Sequence, residues 1–457
     1  MPGVLLVYAR GGVPPSYAIP KVAAIAETHL LVITPLPRSA VPVAVDHCSS
    51  VTDVSGERLR ADELVAKIVH VARALAVDAV LTFAEFALVS VAEACQQLGV
   101  PGPGPHAARA RNKRLMRQTW ARSGVPVPKW RPVSSVDDIY SAWDQLTPPL
   151  LLKAGWSAAA VGQVLVSSKE EIPSAWNYTR SAIVLGAQVG FSELNGNGGA
   201  DFLVDEIIAS TTRSWYRDPR YGDHLSVEGL VVNGIYYPVC VTAKAPTSAP
   251  FTERANFTPC VLDEELQRLI ELTGRRAVDA LQLETCGTHT EIKLMADNQM
   301  CLLETAARFG GVLLVREVEI VYGIDMLGAL TVAALGEHPS LPQQMLTHTS
   351  RQAAGSVAMY AIDALGKPWS STPIFEPARI DWSTLVSANT SVEIFPDLTM
   401  PTGGPMPPYD IANGYLNSAG VLFVTTRSPA ELISDSYSIM NGLEAAMMRP
   451  SRQEETR

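Results

Sequence analysis

Long apolar runs, paired cysteines and basic charge are all scarce in this chain. The richest apolar stretch, Val71 to Cys95, is broken by Arg73, Asp78, Glu85 and Glu93, so it never reaches the ~20 apolar residues that a spanning helix needs. No membrane association is expected. The six cysteines, Cys48, Cys95, Cys240, Cys260, Cys286 and Cys301, include no CxxC pair, which predicts reduced structural thiols, a cytoplasmic setting and no cysteine-bound zinc. Lys+Arg 36 against Asp+Glu 46 leaves a net charge of -10, a field that repels phosphate backbones and anionic membrane surfaces. Nucleic acid is therefore not an expected partner. A secretory leader would set a basic stretch before its apolar core, whereas Gly3 to Tyr8 reads at once as a buried strand.

Familiar nucleotide and hydrolase signatures are missing too. There is no GxxxxGK[ST] loop, and Gly366-Lys367 runs into Pro368. Gly196 to Asp201 has neither the spacing nor the preceding strand of a dinucleotide fingerprint and reads as a loop. Gly155-Trp-Ser157-Ala-Ala159 lacks the last glycine of a serine-hydrolase elbow, and a strand follows it rather than a helix.

What is present is a large globular chain of 457 residues, 47% of them hydrophobic, enough for about three domains. Residues 1–105 alternate short apolar runs with helical patterns (Val4–Tyr8, Ser16–Thr28, Leu30–Thr34, Glu57–Ala76, Ala79–Phe83, Glu85–Leu98), which predicts βαβ units on a parallel, Rossmann-like sheet. Pro101-Gly-Pro-Gly-Pro105 ends that unit. A helix from about His106 should stop at Ser123-Gly124. Residues 106–338 then turn β-rich, with strands at Leu150–Lys153, Val164–Ser167, Phe202–Ile208, Val227–Val232 and Tyr236–Val241. Asn233-Gly234 is a strong hairpin turn between the last two. A helix over Asp263–Leu281 should bury Leu266, Leu269, Ile270, Ala277 and Leu281. After a polar linker, Pro339 to Arg351, residues 352–457 read as a smaller C-terminal α+β unit with a frayed tail beyond Arg449. The fold class is thus α/β and α+β.

The most informative segment runs from Thr288 to Glu304. With Asp297-Asn298 at the tip of a tight turn, Ala296 pairs with Gln299, Met295 with Met300, and Glu291 falls opposite Glu304. Two carboxylates facing each other across a ladder repel unless a cation lies between them. His289 and Lys293 share their face, and Ile292 and Leu294 point into the core. A solvated strand with ordinary charges fits this fragment equally well.

Arg308 and the Gly310-Gly311 turn emerge just after this strand, suited to clamping a phosphate or carboxylate, or forming a plain surface ion pair. Lys153 runs into the small-residue loop Gly155 to Gly162, which could lay backbone N–H groups over phosphates. The basic run Arg109, Arg111, Lys113, Arg114, Arg117 and Arg122 circles its helix and reads mainly as a solvated face.

Together these residues resemble the ATP-grasp carboxylate–amine ligases, and especially the L-amino-acid ligase and peptide-ligase branch, over roughly Asn112 to Gly311. The resemblance implies an ATP-grasp core between an N-terminal Rossmann-like domain and a smaller C-terminal domain. It implies that Lys113 and Lys153 contact phosphate, with Ser157 in the loop that folds over it. Glu206 and Ile208 would lie at adenine, Asp223 at the ribose, and Glu291 and Glu304 would bind Mg²⁺, for which Mn²⁺ can substitute. Arg308 would hold the γ-phosphate, the substrate carboxylate or the acyl phosphate. His289, Lys244 and Gly311 are further candidates for substrate contact, although an exposed surface is the ordinary place for Lys244. Three departures stand out: Ala306 replaces the usual metal-binding Asn, Asp223 replaces a Glu, and Ala209 to Tyr221 is a long insert that either covers a substrate or is an exposed connection.

The activity implied is ATP-dependent amide or peptide bond formation through an acyl phosphate, with release of ADP and phosphate. The partners would be acid and amine substrates, amino acids or peptides, in antibiotic or other specialised-metabolite biosynthesis; a homodimer is admitted. Two rivals stay open, a carboxylase or purine-pathway ligase of the same fold and a nucleotide-binding protein that has lost catalysis.

Overall fold

In the computed structural model the described residues are 1–158, 161–188, 201–249, 251–348, 352–410 and 417–448. Residues 196–200 of the loop expected over Gly196 to Asp201 and the tail beyond Arg449 lie outside them, as do parts of the 155–162 loop and the 339–351 linker.

The N-terminal unit is the expected parallel sheet, ordered β3-β2-β1-β4 from β1 (Gly3–Tyr8), β2 (Glu27–Val32), β3 (Ser50–Asp53) and β4 (Ala79–Leu81). Helices α1 (Pro15–Ala23), α2 (Ala40–His47), α3 (Ala61–Ala74) and α4 (Leu88–Leu98) accompany it. Sequence pattern misses α2 and β3 for a physical reason. Val41 and Val45 of α2 are exposed, so the helix shows no polar outer face, and β3 is an edge strand with no fully buried residue.

The middle of the chain forms an antiparallel sheet, β5-β8-β6-β7, from β5 (Trp130–Val133), β6 (Leu150–Ala154), β7 (Val164–Val166) and β8 (Phe202–Glu206). Helices α5 (Lys113–Arg122), α6 (Val136–Trp143) and α7 (Ile172–Gln188) belong to this region. The helix expected from His106 is broken. Residues Ala107–Ala110 form a 3-10 turn, and α5 starts afresh at Lys113 because the Asn112 side chain accepts from the N–H groups of Arg114 and Leu115.

The third sheet has eight antiparallel strands in the order β13-β12-β9-β10-β11-β14-β16-β15. They are β9 (His224–Val232), β10 (Ile235–Lys244), β11 (Ala255–Thr258), β12 (Cys286–Leu294), β13 (Met300–Ala306), β14 (Ala353–Met359), β15 (Ser391–Ile394) and β16 (Gly420–Thr426). Strands from residues 353–426, expected within a smaller unit of their own, extend this same sheet through the β11–β14 ladder. Helices α8 (Glu264–Leu281) and α11 (Pro429–Met448) pack on the sheet, as do α9 (Leu314–Tyr322) and α10 (Met326–Ala334). One expectation for α8 fails: Leu269 is exposed, while Ile270, Ala277 and Leu281 are fully buried. Asn233 and Gly234 form the two-residue turn between β9 and β10, both at positive φ.

Candidate active site

The hairpin of β12 and β13 does place Glu291 opposite Glu304, but not by the register the turn suggests. Asp297 and Asn298 adopt the left-handed conformation expected of the tip. The ladder, however, starts with Leu294 opposite Met300 and Ile292 opposite Leu302, one residue out from the expected pairs. A bulge beside Glu291 and Ile292 then absorbs Leu303 and restores the shift. Ala296 with Gln299 and Met295 with Met300 are therefore corrected, whereas the carboxylate pair stands. Ile292 and Leu294 are buried as expected.

Cations answer both carboxylates from other elements. Lys113 Nζ lies 2.9 Å from Glu304 and donates to the Ser157 carbonyl at 2.9 Å. Burial works to raise the Glu304 pKa, but the Lys113 charge and hydrogen bond override it and bring it down to about 2. Glu291 lies 3.7 Å from Lys244 Nζ and 3.3 Å from His289 Nε2. His289 shares its other nitrogen with Glu228 at 2.8 Å; burial opposes charging, yet Glu228 lifts its pKa to about 9, so the ring is a cation at neutral pH. Lys244, expected at the surface, is 2% exposed and also donates to Glu253 at 2.6 Å.

Arg111, Lys113 and Arg117 are buried, which corrects the expectation of a mainly solvated basic face. Lys153 Nζ donates to Asp205 at 2.9 Å, and Arg117 approaches the same carboxyl oxygen at 3.4 Å. Burial pulls the Lys153 pKa down; it also works to raise that of Asp205, where the two cations win and keep the carboxylate ionised. Two Arg117 nitrogens, Nε and Nη1, are buried with no partner among the described residues. Such orphaned donors beside Lys113 and Lys153 suit a polyanion.

Glu206 ends β8, its N–H donating to the Lys129 carbonyl, and its carboxyl accepts from the Thr147 N–H at 2.9 Å. Ile208, expected within the strand, lies two residues beyond its end and is partly exposed. Asp223 receives Lys293 at 2.6 Å and Ser210 at 2.5 Å. Burial would raise its pKa, but His224 and Lys293 hold it well below the usual carboxylate range. At its aromatic positions the Ala209 to Tyr221 insert is not an exposed loop. Trp215, Tyr216 and Tyr221 are buried in the core, with Trp215 donating to the Met295 carbonyl at 2.7 Å.

Arg308 is held by Glu85 from the N-terminal unit and donates to the Phe309 carbonyl at 2.7 Å. Gly310 packs against the Glu228–His289 pair, where a Cβ would lie 2.8 Å from His289 Nδ1; Gly311 has open space beside it. Sequence reasoning passed over Glu85, Arg117, Asp205, Glu228 and Glu253. Glu85 interrupting an apolar stretch, and Asp205 inside an apolar strand, were the available signals.

The donor set fits a hard divalent cation. Two carboxylates suffice when phosphate and water oxygens complete the shell, and the described residues hold no cluster of three or more His, Cys, Asp or Glu ligands. Among the described residues no helix is long and apolar enough to cross a membrane.

Comparison with known proteins agrees with this architecture. Residues 35–102 match the ATP-grasp N-terminal domain. The chain is 35% identical over 291 residues to the alanine–anticapsin ligase of Bacillus subtilis, an alignment covering 62% of this chain and 60% of that protein. It is 26% identical over 290 residues to carnosine synthase 1 of Homo sapiens, covering 61% and 33%. An L-amino acid ligase from Bacillus licheniformis superposes with a TM-score of 0.73 at 19% identity, covering 96% of this chain and 97% of that one. The chain has the ATP-grasp fold, and its residues 35–102 match the ATP-grasp N-terminal domain.

Proposed function

We propose that this chain is an ADP-forming carboxylate–amine ligase that joins amino acids or peptides through an acyl phosphate. The observation that carries the reading is the Glu291–Glu304 pair, with Lys113 and Lys244 against it and Lys153 and Arg117 alongside. The alanine–anticapsin ligase relative favours an amino acid as one substrate and antibiotic biosynthesis as the setting. The chain spans 60% of that protein's length in the match, so the whole activity is a proposal.

Glu291 and Glu304 would hold Mg²⁺, or Mn²⁺ with the same oxygen preference, which when bound neutralises charge on the transferring phosphoryl group. Lys113 and Lys153 would release their carboxylate partners to meet phosphate oxygens. Glu206 and Ile208 would offer backbone groups to adenine, Asp223 would accept from the ribose, and Ser157 would shape the loop over the phosphates. Arg308 would orient the substrate carboxylate for attack on the γ-phosphorus beside Gly311. Breaking the bond to ADP leaves the acyl phosphate, whose carbonyl carbon the amine then attacks with departure of phosphate. No enzyme nucleophile is required, because positioning and charge neutralisation supply the catalysis. The reading places the protein in the cytoplasm and admits a homodimer. Ala306 favours a nucleotide-binding protein without catalysis as the second reading. ADP release measured for pairs of amino acids separates them: release dependent on both partners supports the ligase, and release with none contradicts it.

A further inference from the structure

Helix α9 begins directly after the Arg308–Leu313 loop and is gripped from three sides. Arg316 pairs with Glu393 of β15 at 2.6 Å and lies over the Phe423 ring. Glu319 receives Tyr17 and Lys21 of α1. Between them Glu317, 0% exposed, accepts from Thr258 Oγ1 of β11 and Ser356 Oγ of β14, each at 2.8 Å. Ser356 is itself held by Asn256 Nδ2 at 3.1 Å.

Nothing in the ligation chemistry uses this carboxyl. Its hydrogen-bond partners are neutral hydroxyls, and the charged or titratable groups whose fields couple to it are Glu228 of β9 and Cys240 and Lys244 of β10. A leucine of similar volume would fill the same space without the desolvation cost of an acid. What the carboxyl supplies and an apolar side chain would not is the pair of directed hydrogen bonds to β11 and β14.

What lies one turn upstream is a strained loop. Val312 has φ +62°, a conformation that β-branched residues rarely adopt. Such strain persists only where the surroundings over-determine it. The N–H groups of Arg316 and Glu317 both donate to the Leu313 carbonyl, at 2.9 and 3.0 Å, so the first turn of α9 clamps the end of that loop.

We propose that Glu317 is a positioning residue: its hydrogen bonds to Thr258 and Ser356 pin the first turn of α9 to the sheet and so hold Gly310–Val312 in place beside Arg308. This rests on the reading of that loop as the place where the organic substrates bind.

The test uses the full chain with Glu317→Gln, Glu317→Leu and Ser356→Ala. Glutamine accepts from one hydroxyl and donates to the other, keeping both contacts, whereas leucine keeps only the volume. Expected are KM values for acid and amine raised about tenfold in Glu317→Leu and less in Ser356→Ala, KM for ATP within about twofold of wild type, and restoration by Glu317→Gln. Hydrogen exchange of the 313–318 amides, measured without substrates, should quicken about tenfold in Glu317→Leu and not in Glu317→Gln. An equal rise in all three KM values, or unchanged exchange in Glu317→Leu, overturns the proposal. If Glu317→Leu does not fold, unchanged exchange in Ser356→Ala does the same. Wild-type protein that ligates no pair of substrates sinks the functional reading instead, and the exchange comparison still decides the role of Glu317.

Discussion

Arg308 and Glu85 form an ion pair that joins the loop after the β12–β13 hairpin to the N-terminal unit. Both side chains are largely buried, and Arg111 approaches the other Glu85 oxygen at 3.4 Å. Removing the acid strands a buried guanidinium without its carboxylate. Glu85→Ala should lower stability by about 3 kcal/mol and Glu85→Gln by less. Urea denaturation gives the comparison; a Glu85→Ala midpoint equal to wild type would mean that the pair does not hold the units together.

The buried Glu317 carboxyl sets a pH dependence. Burial pushes its pKa up to about 7, so the folded protein keeps its proton where the unfolded chain has lost it. Stability therefore falls as pH rises from about 4.5 to 7, and the full cost, on the order of 3 kcal/mol, is present above that. Glu317→Gln should match wild type near pH 4.5 and unfold at higher temperature than wild type at pH 8. A difference of the same size at both pH values would show that the carboxyl is not protonated in the fold.

Asp205 restrains Lys153 and Arg117. Asp205→Asn leaves two buried cations facing each other, so the free protein should melt lower. Added ATP and Mg²⁺ should then raise its melting temperature by more than they raise that of wild type. An equal ligand-induced shift would place the nucleotide phosphates away from these two cations.

Both the parallel N-terminal sheet and the carboxylate pair were legible because each rests on a periodic pattern. The pair came out right although the ladder around it did not: the turn pairing slips by one residue and the bulge at Leu303 slips it back. A bulge leaves no signature in a short sequence. Nor could periodicity show that Lys244 is buried or that Trp215, Tyr216 and Tyr221 are core, since composition does not say what lies opposite. Glu85 and Arg308 lie far apart in the chain, so only the packing of two units brings them together.

Glu304→Gln tests the proposed metal pair. Losing one of two charges should cut kcat at least ~100-fold at saturating Mg²⁺. It also leaves Lys113 without its carboxylate, with the Ser157 carbonyl still accepting from it. Because the Glu304 pKa is depressed to about 2, the stability it contributes is present above pH 4.5 and lost as pH falls through 2. The variant should lose up to about 3 kcal/mol at pH 7 and nothing near pH 2. Glu291→Gln should act alike on turnover, and the double variant should cost less than the product of the two. Near-wild-type turnover would remove these residues from metal binding.

The most direct measurement incubates the wild-type protein with ATP, Mg²⁺, an accepted amino acid and hydroxylamine in place of the amine, and quantifies all products. An acyl phosphate predicts an aminoacyl hydroxamate formed in step with ADP and phosphate. AMP and pyrophosphate in stoichiometric amounts, or ADP release with no hydroxamate, would contradict it.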